Sequence, residues 1–137
     1  MKTKNRLLNI LLIEDNQNDI LLIRIALEKS GIKANLNTVT NGEDAVNYLN
    51  EIIGKKETLP DLILLDINLP KITGLEVLKK IKVNKSTRSI PVVIFTSSDS
   101  SSDMNYCYQN GAGFYIKKPN NINSFKEVMK YISLTIF

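Results

Sequence analysis

Leu62-Ile63-Leu64-Leu65-Asp66-Ile67-Asn68-Leu69-Pro70 joins a wholly apolar run to an acidic residue, and the architecture follows from it. Residues 62–65 have strand length and no polar face, as expected of a strand covered on both sides in a parallel sheet. An acidic residue follows at once, at the carboxyl end of that strand. Four further strand-like segments lie around it, at 7–13, 34–39, 92–95 and 114–116.

Helical spacing fills the intervals. Ile20, Ile23 and Leu27 repeat at three and four residues, and the pattern stops at Gly31, a suitable C-terminal cap. Ala45, Val46, Leu49, Ile52 and Ile53 mark a second helix ending at Gly54. Leu75, Leu78 and Ile81 mark a third. Met104, Cys107 and Tyr108 mark a fourth, closed by Asn110-Gly111. Phe125, Val128, Met129 and Ile132 mark a fifth, opened by the polar residues 120–124. The alternation gives (βα)₅, an α/β doubly wound parallel sheet with right-handed crossovers. No internal repeat or linker interrupts it, so one domain is expected over residues 1–137, with its core at about 7–132.

Composition narrows the chemistry. A chain of 137 residues, 43% hydrophobic and 23% charged, suits one well-buried core. No apolar run approaches the roughly 20 residues that cross a bilayer, and the N-terminus lacks the pattern of a secretory signal. The single Cys107 has no internal disulfide partner, which suits a reducing cytoplasm and a packing role. The net charge of +4 comes from scattered lysines without interleaved aromatic residues, so neither nucleic acid nor membrane is expected as a partner. Histidine is absent. That removes Ser-His-Asp and Cys-His catalysis, and it leaves oxygen as the ligand for any metal: Mg²⁺, Mn²⁺ or Ca²⁺.

In an open parallel sheet, ligands bind beyond the carboxyl ends of the strands, where the strand order switches. Polar residues stand at four such ends: Glu14-Asp15, Asp66, Thr96-Ser97 and Lys118-Pro119. Three neighbouring carboxylates repel one another, so strain is expected there unless a cation joins them. Asp66 held by a hard divalent ion stays ionised and can act as a nucleophile. The Lys118 ammonium, the Thr96 hydroxyl and nearby backbone N–H groups would clamp transferred phosphoryl oxygens. A single strand-end Asp is usually a turn or a cap; four such positions on four strand ends call for more than capping.

At these residues the chain resembles the receiver domain of two-component response regulators. The resemblance runs from about Leu7 to Ile132 and is carried by four motifs. These are Ile13-Glu14-Asp15-Asn16, Asp66-Ile67-Asn68-Leu69-Pro70 with Gly74, Val93-Ile94-Phe95-Thr96-Ser97, and Tyr115-Ile116-Lys117-Lys118-Pro119. It implies a flavodoxin-like sheet of order 2-1-3-4-5 and Asp66 as phosphoacceptor. It implies a Mg²⁺ site (Mn²⁺ being possible) at Glu14, Asp15, Asp66 and the Asn68 carbonyl. Thr96, Ser97 and Lys118 would bind phosphate, and Thr96 and Tyr115 would form the switch. Lys117 competes with Lys118 for the lysine role, and the Lys118–Pro119 bond is expected to be cis. Details of the motifs are similar to the small regulators that partner phytochromes.

The function implied is a single-domain response regulator of the cytoplasm. A sensor histidine kinase or phosphotransfer protein would phosphorylate Asp66. The surface of the fourth helix, fifth strand and fifth helix would then signal to a protein partner. No output domain is expected. The apolar residues Ile132, Leu134, Ile136 and Phe137 suit either a homodimer interface or the last turn of the fifth helix on its own core. Three rivals differ in chemistry. A dehalogenase-like phosphatase wants a second Asp where Asn68 stands. A flavin mononucleotide binder wants a Ser/Thr/Gly-rich phosphate loop where Glu14-Asp15 stand. A degenerate receiver acting as a phosphorylation-independent interaction module would have no need of the acidic and lysine set.

Overall fold

The computed structural model describes residues 7–53, 55 and 59–136, with Ile136 as backbone alone. The elements alternate as β1 (Leu8–Ile13), α1 (Gln17–Lys29), β2 (Ala34–Val39), α2 (Gly42–Ile52) and β3 (Leu62–Leu65). They continue as α3 (Gly74–Val83), β4 (Val92–Thr96), α4 (Ser101–Gln109), β5 (Phe114–Lys117) and α5 (Ile122–Ile136). All five strands pair in parallel, in the order β2-β1-β3-β4-β5. The expected strands are all present: β4 and β5 each run one residue further and β1 starts one later.

Because side chains alternate across a strand, each strand of the covered centre feeds two cores. Leu11, Ile13, Ile63, Leu65, Val92 and Ile94 pack with α2, α3 and Cys107 of α4. On the opposite face, Leu8, Ile10, Leu12, Leu62, Leu64, Val93 and Phe95 pack against α1 and α5. There Phe95 and Phe125 stack at a tilt with ring centroids 5.4 Å apart. Each such apolar side chain contributes about 1.5–3 kcal/mol when buried, which is why β3 carries no polar residue before Asp66. The edge strand β2 has water on one flank and alternates accordingly, exposing Asn35 and Asn37.

Four helices begin alike. Asn16, Asn41, Thr73 and Ser100 are N-caps whose side chains accept the backbone N–H of Asp19, Asp44, Glu76 and Asp103. Each partner is an acidic residue in the first turn, where the helix dipole favours negative charge. Asn121 does the same for α5, accepting from Ser124 N–H. At the other ends, Gly31 and Gly111 adopt positive φ just beyond α1 and α4, as anticipated, whereas Gly54 lies outside the described residues.

Glycine is required where α3 meets β3. The Gly74 N–H donates to the Ile67 carbonyl at 3.0 Å, and a Cβ on Gly74 would overlap the Asp66 carbonyl oxygen. The start of α3 is thereby pressed against the backbone that carries Asp66. Two expectations need correction. The Lys118–Pro119 bond is trans; trans is the lower isomer of an X–Pro bond by about 0.5–1 kcal/mol, and from it Lys118 still reaches the acidic residues described below. Tyr108, placed on the apolar side of the fourth helix, is 46% exposed, its hydroxyl oxygen accepting from Tyr115 N–H. The C-terminal residues divide: Ile132 is in the core, Leu134 is 85% exposed, and the side chains of Ile136 and Phe137 lie outside the described residues.

Two outcomes test this packing. Gly74→Ala should lower stability by about 2–3 kcal/mol through overpacking, read as an earlier midpoint in urea; an unchanged midpoint would refute the close approach. Cys107 is fully buried, and burial, with the Asp103 carboxylate second, pushes its thiol up to about 11. Iodoacetamide at mildly alkaline pH should therefore label the unfolded chain and spare the folded one, as intact mass would record.

Candidate functional site

The sheet register brings the candidate residues together. Ile13 of β1 pairs with Leu65 of β3, so Glu14 and Asp66 emerge side by side, the Asp66 N–H donating to the Ile13 carbonyl at 3.0 Å. Thr96 ends β4, and Lys118 follows β5 with its N–H donating to the Thr96 carbonyl at 2.8 Å. Four strand ends thus meet in one cluster at the switch in strand order, between β1 and β3.

Lys118 occupies its centre. Its ammonium lies 2.6 Å from Glu14 Oε1, 2.8 Å from Asp19 Oδ2 and 3.0 Å from Asp66 Oδ2. An ammonium has three N–H donors, and here each has a carboxylate. The cation that joins Glu14 and Asp66 in this structure is the protein's own lysine. The other oxygens are also engaged: Asn68 N–H donates to Asp66 Oδ1 at 3.1 Å, and Asn16 N–H donates to Glu14 Oε2 at 3.1 Å.

The electrostatics follow from burial. Glu14 is almost wholly buried, and desolvation pushes its carboxyl up to about 7, reinforced by the nearby Asp66 charge and opposed by the Lys118 hydrogen bond. Burial pulls the Lys118 ammonium down, but its bonds to Asp19, Glu14 and Asp66 outweigh this and hold it above the usual lysine range. One carboxylate oxygen from each of Glu14, Asp15 and Asp66 lies within 4.8 Å of the others. Asp15 is exposed and opens this trio to solvent. An all-carboxylate donor set open on one side fits a hard divalent ion.

The remaining candidates sit around this centre. Asn68 and Ser97 are exposed, and Thr96 is fully buried. Ser98 links Thr96 to Tyr115: its N–H donates to Thr96 Oγ1 at 3.4 Å, and its carbonyl accepts from the Tyr115 hydroxyl at 3.0 Å. Tyr115 packs half-buried against the core on the α3–α4 side. Burial raises its phenol, the bond to Ser98 opposing this. Lys117, the competitor of Lys118, points away to pair with Asp99 at 3.3 Å on the exposed surface. Asp19 is the site residue that sequence reasoning misses. In the sequence it has the form of an ordinary first-turn acid, and no local signal announces that its carboxylate crosses to Lys118.

A profile of the response regulator receiver domain matches residues 10–130. The chain belongs to that family. The probable methanogenesis regulatory protein FilR2 of Methanothrix harundinacea is 37% identical over 123 residues, covering 90% of this chain and 79% of that protein. The response regulator Rcp1 of Synechocystis sp. is 36% identical over 125 residues, covering 90% of this chain and 84% of Rcp1. Among solved structures, the phosphorylated cyanobacterial phytochrome response regulator RcpA superimposes with TM-score 0.83 at 37% identity, covering 93% of this chain and 92% of RcpA. The Mn²⁺-bound form of Rcp1 gives TM-score 0.81 at 33% identity, covering 93% of each chain. This chain is therefore a two-component receiver of flavodoxin-like fold, resembling the small phytochrome regulators. Among the described residues no helix is long and apolar enough to cross a membrane.

The charge arrangement makes two substitutions move stability in opposite directions. With a chelator present, Asp66→Asn removes one of several crowded carboxylates and should raise Tm. Lys118→Gln strands buried Glu14 and Asp66 without a cation and should lower Tm by several degrees. Thermal melts of both check this; a fall in Tm for Asp66→Asn would contradict the charge balance.

Proposed function

We propose that this receiver accepts a phosphoryl group on Asp66 from a phosphohistidine of a sensor kinase or phosphotransfer protein, with Mg²⁺ as cofactor. The observation that carries this is the meeting of Asp66 with Glu14, Asp15 and Lys118 at the strand ends. An Asp66 carboxylate oxygen attacks phosphorus in line, the P–N bond to the donor imidazole breaks, and its electron pair stays with the leaving ring. The donor histidine lies outside this sequence, which contains none. When bound by Glu14, Asp15, Asp66 and the Asn68 carbonyl, Mg²⁺ supplies neutralisation of the transferred charge. The Mn²⁺-bound form of Rcp1 and the phosphorylated form of RcpA support the reading.

Lys118 then pairs with a phosphoryl oxygen in place of the Asp66 carboxylate oxygen it holds now. Thr96 turns its hydroxyl to another, with the Ser97 backbone close by. Since Thr96 and Tyr115 share Ser98, movement of Thr96 releases Tyr115 to turn inward. The surface of α4, β5 and α5 changes with it, and a protein partner reads that change. Phosphorylation biases two states that already exist. The only chemistry assigned is self-phosphorylation and hydrolysis of the acyl phosphate. The setting proposed is the cytoplasm.

Incubation with acetyl phosphate, with and without Mg²⁺, tests the reading by intact mass. One added phosphoryl group is expected with Mg²⁺ and none in Asp66→Asn. An unmodified wild type that also shows no change at Tyr115 with beryllofluoride would overturn it.

A further inference from the structure

Of the four first-turn acids whose backbone N–H bonds to an N-cap side chain, three also bond locally through their carboxylates. Asp44 Oδ2 accepts from its cap Asn41, Glu76 Oε1 from its cap Thr73, and Asp103 Oδ2 from Ser98 in the preceding loop. Asp19 instead takes the Lys118 ammonium, 99 residues away in sequence, at 2.8 Å. Its place is fixed from behind: Asn16 Oδ1 accepts the Asp19 N–H at 3.0 Å, and Asn16 N–H holds Glu14 Oε2. One cap residue therefore sets both Asp19 and Glu14.

The three carboxylates on Lys118 are not equivalent. Glu14 and Asp66 belong to the trio suited to a divalent ion, whereas Asp19 does not. An incoming cation and the Lys118 ammonium compete for the carboxylates of Glu14 and Asp66. Once the cation holds those, Asp19 is the carboxylate left to Lys118 among the three. We infer that Asp19 is a positioning residue: it holds Lys118 while the cation enters, so that the ammonium yields Glu14 and Asp66 without losing its counter-charge. The inference rests on the Mg²⁺ reading above and adds to it a residue that acts through Lys118 rather than on the ion.

A double-mutant cycle read by Mg²⁺ titration calorimetry tests this, since Asp19→Asn keeps the shape and the backbone cap. In the native background Asp19→Asn should weaken Mg²⁺ binding by about threefold or more, within the range of coupled contacting pairs. In Lys118→Gln it should change affinity by less than about twofold. Equal weakening in both backgrounds would overturn the inference, because Asp19 would then act on the ion directly. So would an unchanged affinity in the native background. If Lys118→Gln does not fold, Asp19→Glu decides: affinity restored to near wild type supports the positioning role, and a loss like that of Asp19→Asn refutes it. A folded wild type that binds no Mg²⁺ would fail the proposed function itself, and this inference with it; phosphorylation of Asp66 that persists while Asp19→Asn binds Mg²⁺ normally would fail the inference alone.

Discussion

Burying a carboxylate such as Glu14 is unfavourable unless something answers its charge, and here the answer is one ammonium shared among three acids. Lys118 comes from the loop after β5, Glu14 from the end of β1, Asp66 from the end of β3 and Asp19 from the first turn of α1. The ion pairs therefore tie the loop beyond the edge strand back to the sheet's centre. An unpaired charge at that depth would cost several kcal/mol. The lysine cannot leave without a replacement cation or a changed carboxylate. In the proposed reading, whatever supplies positive charge there, or alters Asp66, would also move Lys118.

The convergence depends on topology. A strand order of β2-β1-β3-β4-β5 sets β1 beside β3 although a strand and two helices separate them in sequence. Their parallel register then puts Glu14 next to Asp66. Gly74 lets α3 press on the backbone of Asp66 and Ile67, which fixes the direction in which the carboxylate leaves the strand. The apolar cores on both faces hold the strands at that register, since a slip of one residue would turn Leu64 and Leu65 to the wrong faces.

Ser98 gives the site a second connection. Its N–H meets Thr96, its hydroxyl donates to Asp103 at the start of α4, and its carbonyl accepts from Tyr115 on β5. Three atoms of one residue thus join a strand end, a helix start and an edge strand. In the proposed switch, a displacement of Thr96 would reach Tyr115 through hydrogen bonds already in place.

Much of this was legible in the chain itself. Continuous apolar runs at 62–65 and 92–95 and the 3.6-residue spacing of Ile20, Ile23 and Leu27 depend on local periodicity, and periodicity survives in one dimension. The residues at four strand ends were legible because a parallel sheet directs all carboxyl ends to one edge. The choice of Lys118 over Lys117 was partly visible, since Lys118 stands immediately before Pro119, but the Asp99 pair that occupies Lys117 is a tertiary contact. Asp19 was hidden, because its local form matches Asp44, Glu76 and Asp103. The trans form of Lys118–Pro119 is not legible in the chain for a related reason: the two isomers differ by little energy, so the neighbourhood chooses between them. The elements, the two-faced core and the chemical types at the site follow from periodicity and composition, which are properties of the chain. Which carboxylates share the lysine depends on distances across elements far apart in the chain, and so on the packed fold.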